Sequence, residues 1–350
     1  MMNIFDFIKS QIAILDLVQE YTSLKKAGVY WKGLCPFHNE KTPSFSVSPH
    51  RQIFYCFGCH ESGDVIGFIA KIENCSQIDA AKFIAERYNM ELPESVQQEY
   101  TAGSASEKER YFNLCELVAQ WCKLNLDQSR LAQDYLEKRQ VSTQTINNFN
   151  IGYFPKGQRT IQNLIKYAQK NSFLANDLID AQIIQKNNQH FYSGFEDRII
   201  FPIQDHLGRF CAFGGRVFKK DDDRVKYYNS HEHTYFNKRA TLFGLNLAKK
   251  IIQKESSVFL VEGYTDCIAM HQANFKNCVA TLGTACTSEH IDTIARLADK
   301  IYVIYDSDNA GLQAVEKLTT LCWNANLEVK VIQLPTGEDP ESFLTQKNDL

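Results

Sequence analysis

Two short β-rich stretches, each ending on carboxylates, constrain this chain most. Val258-Phe-Leu-Val-Glu262-Gly263-Tyr-Thr-Asp266 and Ile301-Tyr-Val-Ile-Tyr-Asp306-Ser-Asp308 each read as a buried strand followed by a helical pattern. That alternation builds a parallel βαβ sheet. Parallel strands point one way, so residues just past their carboxyl ends gather along one edge, where open α/β sheets place ligands. A third strand pattern, Glu328 to Leu334, runs into Pro335-Thr-Gly-Glu-Asp339-Pro340 and brings another acid to that edge. Glu262, Asp306, Asp308 and Asp339 are therefore expected to meet in space. Crowded carboxylates raise one another's pKa unless a cation sits among them, and oxygen-only ligands suit Mg²⁺ or Mn²⁺. A single strand-end acid is more often a helix N-cap or a solvated turn. Three acid-bearing strand ends favour the cation.

A second constraint lies near the amino terminus. Cys35-Pro-Phe-His38 and Cys56-Phe-Gly-Cys59 are two knuckles separated by 17 residues, with β-rich Phe45 to Val47 and Gln52 to Tyr55 between them. Such a hairpin folds the knuckles together and closes a tetrahedral zinc site with Cys35, His38, Cys56 and Cys59. Four protein ligands leave no open position, so this zinc is structural and holds a module too small to build a large core. His60 lies one place off the knuckle geometry, and Cys75 reads as a lone thiol.

At 350 residues there is room for two or three domains. A 44% hydrophobic and 23% charged composition describes a globular protein. Apolar runs such as Val65 to Ala70 are too short to span a bilayer, and Asp6, Lys9 and Asp16 break any signal-peptide pattern. Eleven cysteines, only some paired, fit a reducing cytoplasm with one metal site better than a disulfide framework. A net charge of −3 requires any nucleic-acid surface to be local and salt-sensitive.

Taken in order, residues 4–21 carry an amphipathic helical period, and 63–92 a glycine break followed by another. Residues 94–109 are poor in large apolar side chains and read as a flexible linker that leaves the zinc module free to reorient. Helical patterns resume from Tyr111, with Ser142 as an N-cap and a further helical pattern covering 159–184. From Glu196 the pattern turns to strands: Arg198 to Ile203, a turn at Asp205 to Gly208, then Phe210 to Phe218. Between 196 and 240 nine basic residues stand against seven acids, with Tyr227, Tyr228, Tyr235 and Phe236 among them. Rings interleaved with cations suit a groove for phosphates and unstacked bases, whereas a solvated hairpin face is the plainer alternative. Residues 237–254 read as one helix leading into the acidic domain. No repeat and no Walker A pattern is visible. The class is multidomain, α+β and α/β.

These residues resemble bacterial DNA primases of the DnaG type. Cys35-Pro-Phe-His38-Asn-Glu-Lys-Thr-Pro-Ser-Phe45 with Cys56-Phe-Gly-Cys59 is similar to that family's zinc-binding domain. Glu196-Asp-Arg198-Ile-Ile-Phe-Pro-Ile203, Phe213-Gly-Gly-Arg216 and Lys226-Tyr-Tyr-Asn229-Ser230 resemble motifs of its RNA polymerase domain. Val261 to Asp266, Asp306-Ser-Asp308 and Gly337-Glu-Asp339-Pro340 resemble its Toprim fold. The resemblance implies a zinc ribbon over 1–93, a linker over 94–109, the first part of a polymerase core over 110–254 and a Toprim subdomain over 255–350. It implies synthesis of short RNA primers on a single-stranded DNA template from ribonucleoside triphosphates, in the bacterial cytoplasm. Asp306, Asp308 and Asp339 would hold divalent magnesium or manganese, with Glu262 and Asp266 completing the acidic site. Arg198, Arg216, Lys226, Asn229 and Lys238 would contact nucleotide phosphates or template.

The chain departs from the family pattern in places. Asp306-Ser307-Asp308-Asn309 stands where the family often has Asp-Gly-Asp and a basic residue, and His231 follows the Tyr-Asn-Ser motif in place of proline. Family members continue beyond the counterpart of Leu350 into further helices and a domain that docks the replicative helicase. That docking domain is not expected within these 350 residues. A second reading keeps the same parts as a single-strand-binding or regulatory module without synthesis. The intact acids favour catalysis.

Overall fold

In the computed structural model, residues 3–73, 75–90, 107–188, 190–219, 222–305, 309–335 and 337–347 are described, without the side chains of 309–314 and 346–347. The amino-terminal amphipathic pattern folds as two helices, Ile4–Gln11 and Ile14–Gln19. The break comes from a tertiary contact. Ile12 is extended, and the Ile14 amide donates to Gln52 Oε1 at 2.8 Å. A distant side chain thus overrides local helix propensity.

Next come five antiparallel strands in spatial order β1-β2-β3-β4-β5: Lys25–Ala27, Tyr30–Gly33, Phe45–Ser48, Ile53–Cys56 and Ser62–Gly63. β3 and β4 are the expected hairpin between the knuckles. Helix Val65–Ile72, capped by Asp64 Oδ1, and helix Gln77–Arg87, capped by Ser76, cover one face. Phe45, Phe54 and Phe68 pack there with Ile8, Val18, Ile69 and Ile84. Of the stretch read as linker, residues 94–106 lie outside those described, and Glu107 already opens helix Glu107–Asp127.

The following region is a second mixed unit. Helices Glu107–Asp127, Arg130–Lys138, Thr143–Asn148, Gln158–Lys170 and Ala175–Asp180 surround an antiparallel sheet. Its strands are β6 (Gly152–Phe154), β9 (Arg198–Gln204), β10 (Phe210–Val217) and β11 (Tyr227–Asn229), in the order β11-β10-β9-β6. A small hairpin, β7 (Gln185–Asn187) and β8 (His190–Tyr192), lies outside that sheet. Ser142 caps its helix by accepting from the Thr145 amide.

The carboxyl-terminal region is the parallel sheet foreseen from the strand patterns. Its order is β13-β12-β14-β15, with β12 Ser257–Val261, β13 Cys278–Ala280, β14 Lys300–Val303 and β15 Glu328–Val331, all parallel. Strand β13 carries only three residues and gave no pattern of its own. The helix expected over 237–254 starts at Leu245. Ahead of it, Phe243 forms a two-way bridge with Ala280, and Gly244 takes a left-handed φ of 80° to turn the chain from that bridge into the helix.

The zinc module does not stand apart. Leu207, from the β9–β10 turn, joins its apolar core. Buried Glu73 takes Arg209 and Lys108 from the second unit, both at 2.8 Å. Arg209 lies over the rings of Phe83 and Phe112, one from each side of the seam. Ser23 donates its amide to the Arg296 carbonyl and its hydroxyl to the Leu297 carbonyl, while Asn39 bonds Asp292 and Arg296. The module expected to reorient freely is therefore docked, through a seam with a buried charge cluster at its centre.

Candidate functional site

Cys35, His38, Cys56 and Cys59 converge so that their ligating atoms all lie within 4.8 Å of one another. Cys35 Sγ is 3.8 Å from Cys59 Sγ, and Cys56 Sγ is 3.8 Å from His38 Nδ1. A tetrahedron with zinc–sulfur bonds of about 2.3 Å has sulfur–sulfur edges of about 3.8 Å, so the cage is the right size for zinc. The amides of Phe37, Gly58 and Cys59 point at the sulfurs, which suits thiolates. Glu40 Oε2 lies 3.3 Å from His38 Nε2 and orients the imidazole from behind, while Glu40 Oε1 accepts from the Cys35 and Ser44 amides. His60 stays out of the cage and meets the Tyr55 hydroxyl. The other seven cysteines are free thiols.

At the carboxyl edge of the parallel sheet, β12 and β14 lie side by side in register, and the Ile304 amide bonds to the Leu260 carbonyl. Asp306 and Asp308 lie outside the described residues. Glu262 follows β12, and its carbonyl accepts from Thr281 Oγ1. Asp266 sits in the first turn of helix Tyr264–Gln272, and a Cβ at 263 would lie 2.8 Å from Asp266 Oδ2, so a side chain there would push the carboxylate aside. Asp339 accepts from the Ser342 amide at 2.6 Å, in the manner of an N-cap for helix Pro340–Lys347. The next helical residue but one, Glu341, donates its amide to Asp266 Oδ1 at 3.4 Å. The turn carrying Asp339 is thus brought against the helix carrying Asp266.

The five residues expected to contact phosphates or template divide. Arg198 is buried, 2% exposed, and its guanidinium donates to the carbonyls of Gly194, Gly215, Val225 and Lys226. It braces the backbone around Lys226, and burial holds its pKa below the usual arginine range. Asn229 likewise ties backbone together: it donates to the Leu282 carbonyl and accepts from the Tyr264 hydroxyl. Lys226 is exposed, with its ammonium 5.7 Å from the Tyr227 ring. Arg216 is 7% exposed, lies over Tyr227, and approaches Glu341 at 3.7 Å, with Nη1 making no hydrogen bond. Beside it, Gly214 is required by close approach and Gly215 is tightly packed. A Cβ on Gly214 would lie 2.6 Å from the Tyr264 ring, and one on Gly215 3.0 Å from Arg198 Cδ.

Lys238 is placed by a clamp that sequence reading missed. His290, fully buried, lies 2.9 Å from the Lys238 carbonyl and 3.1 Å from that of Thr241 through Nε2, and its Nδ1 accepts from the Thr287 amide. Thr287 Oγ1 donates to the Arg239 carbonyl. These contacts fix the neutral imidazole with its proton on Nε2, and burial pushes its pKa down. Glu341 was also missed, although Asp339-Pro-Glu341 repeats the acid-x-acid spacing of Asp306-Ser-Asp308. Its carboxylate pairs with Arg139, whose Nε lies at 2.6 Å, as well as facing Arg216.

A zinc ribbon docked on a two-part core, whose parallel-sheet region meets the antiparallel β-unit through Asn229, Tyr264, Arg216 and Glu341, defines a class of zinc-ribbon and Toprim nucleic-acid proteins. Known families match in the same order: a CHC2 zinc finger over residues 1–100, the N-terminal domain of the DNA primase catalytic core over 120–249 and a Toprim-like domain over 259–344. The DNA primase of Clostridium acetobutylicum is 37% identical over 345 residues, covering 98% of this chain and 56% of the relative. That of Listeria innocua is 36% identical over 349 residues, covering 97% and 55%. The crystal structure of the Aquifex aeolicus primase zinc-binding and RNA polymerase domains aligns with a TM-score of 0.65 at 33% identity, covering 99% of this chain and 83% of that one. A DnaG primase catalytic domain bound to single-stranded DNA aligns at 0.62 and 31%, covering 70% and 79%. The chain belongs to the DnaG-type DNA primase family. It spans little more than half the length of the curated relatives it matches.

Proposed function

We propose that this chain synthesises short RNA primers on single-stranded DNA by nucleotidyl transfer, with the domain division given by the resemblance. The observation that carries the reading is the ordered family match, supported by the contacts of Asn229, Tyr264, Arg216 and Glu341 that join the parallel-sheet region to the antiparallel β-unit. Glu262, Asp306, Asp308 and Asp339 would hold divalent magnesium or manganese, with Asp266 completing the acidic site. Such ions activate the attacking hydroxyl and neutralise the pyrophosphate leaving group.

The chain's own groups have separable tasks. Exposed Lys226 and the clamped Lys238 offset triphosphate or template charge, while Arg198 and Asn229 hold the backbone that presents them. On the outer face of the zinc module, cross-strand register sets Lys25, Lys32, Ser46, Tyr55 and Ser62 in one row. Exposed Phe57 lies edge-on to Tyr55, 4.9 Å away. Cations beside open rings suit an unpaired template strand. Helicase association is expected of the family.

The test is a primer-synthesis assay with single-stranded template, ribonucleotides and Mg²⁺ or Mn²⁺. Short RNAs are expected, and Asp306→Ala or Asp308→Ala should abolish them. Undiminished product from both variants refutes the metal assignment.

A further inference from the structure

Tyr264 stands between Glu262 and Asp266 in the chain and is the first residue of helix Tyr264–Gln272. Its side chain nevertheless leaves the parallel-sheet region and enters the antiparallel unit, where it is 3% exposed. The ring stacks on Phe201 of β9, with centroids 5.5 Å apart and planes inclined by 6°, and fills the space that a side chain at Gly214 of β10 would need. The hydroxyl donates to Asn229 Oδ1 of β11 at 2.8 Å. Asn229 Nδ2 then returns to the parallel-sheet region by donating to the Leu282 carbonyl at 3.0 Å. One side chain from the acid-bearing turn is thus gripped by three neighbouring strands of the other unit.

The grip extends to two cations. Tyr227 lies 6.2 Å from Tyr264, and near its ring stand the Arg216 guanidinium at 5.4 Å and the Lys226 ammonium at 5.7 Å. Apolar contact is non-directional and leaves a ring free to slide. A hydrogen bond at 2.8 Å is directional and fixes the ring's depth and rotation.

We propose that Tyr264 is a positioning residue for nucleotidyl transfer: its hydroxyl, held by Asn229, sets the separation between the turn carrying Glu262 and Asp266 and the strand carrying Arg216's neighbour Tyr227 and Lys226. The inference rests on the reading of the acidic edge as a divalent-metal site. Tyr264 acts through the backbone of that turn, and small misplacements of reacting groups are costly.

Tyr264→Phe keeps the ring and removes the bond. Tyr111→Phe is the control, since its buried hydroxyl donates to the Cys211 carbonyl at 2.7 Å, away from the acid-bearing turn. Both variants of the 350-residue chain should lose similar melting temperature. Mn²⁺ binding, followed by the spin-resonance signal of the free ion, and primer synthesis against ribonucleotide concentration separate them. Tyr264→Phe should weaken Mn²⁺ binding and lower kcat/KM, each about tenfold, the worth of one buried hydrogen bond. Tyr111→Phe should keep both within about twofold of wild type. Asn229→Ala should lose at least as much as Tyr264→Phe, and combining the two should cost nothing further. Tyr264→Phe that binds Mn²⁺ and turns over like Tyr111→Phe, or losses that multiply in the double variant, overturn the proposal. Wild type that binds no Mn²⁺ overturns it together with the metal reading. Wild type that binds Mn²⁺ without making RNA refutes the synthetic reading alone, and weaker binding by Tyr264→Phe then still supports the positioning role.

Discussion

Lys249→Met should stabilise the protein near neutral pH, and the gain should vanish in alkali. The lysine is 5% exposed, and burial displaces its pKa from 10.5 to about 8, with Glu20 and Asp205 opposing the displacement and Arg87 and Lys250 adding to it. At about 1.4 kcal/mol per pKa unit, keeping that ammonium charged costs roughly 3 kcal/mol below pH 8. Methionine fills similar volume without the charge and forfeits the bond to the His206 carbonyl, worth about 1 kcal/mol. The net gain at pH 7 is roughly 2 kcal/mol, or a rise of about 2–4 °C in melting temperature. The sign of the pH dependence follows from linkage. Between pH 8 and 10.5 the unfolded chain holds the proton that the folded chain has released, so wild-type stability climbs with pH and the penalty disappears. Parallel thermal melts of wild type and variant at pH 7, 9 and 10 read the effect as a difference. A variant less stable than wild type at pH 7, or a difference that does not shrink by pH 10, refutes the reasoning.

Other perturbations probe the remaining features. His290→Gln should release the Lys238 loop and lower primer synthesis several-fold while zinc content, read by metal analysis, stays at one. Because burial lowers the His290 pKa, the unfolded chain binds more protons below pH 6.5 and stability falls as the solution is acidified. The glutamine variant should flatten that limb of the melting profile. Cys56→Ser should release zinc and unfold residues 30–60, detectable by loss of hydrogen-exchange protection there. Glu73→Gln strips the carboxylate from buried Arg209 and Lys108 and should destabilise the docked seam by about 3 kcal/mol. Scattering should then report an expanded particle, and unchanged dimensions in mild denaturant would contradict that role for Glu73.

Where the sequence was legible, the signal was local. Knuckle spacing located Cys35, His38, Cys56 and Cys59 because four ligands in two short pairs leave few geometries open. The alternating and apolar runs located β9, β10, β12, β14 and β15 because burial acts on each strand where it stands. What escaped depends on partners far along the chain. Gln52 splits the first helix from 38 residues away. Ala280 holds Phe243 and delays a helix that periodicity starts at 237. Arg198 shows the limit for function: its residue type reads as a phosphate contact, yet four backbone carbonyls absorb it. His290 shows the converse, a buried imidazole with no motif that nonetheless holds a loop carrying a candidate binding lysine. Asp306 and Asp308 remain a matter for the primer assay.

The burial of Arg198 also bears on how mutational scans should be interpreted. Truncating it would collapse the polypeptide around Gly194, Gly215 and Val225 before any ligand arrives, so a dead enzyme would report a lost keystone rather than a lost handhold. Kinetic constants alone would confuse those two failures; a melting curve recorded beside them would tell them apart.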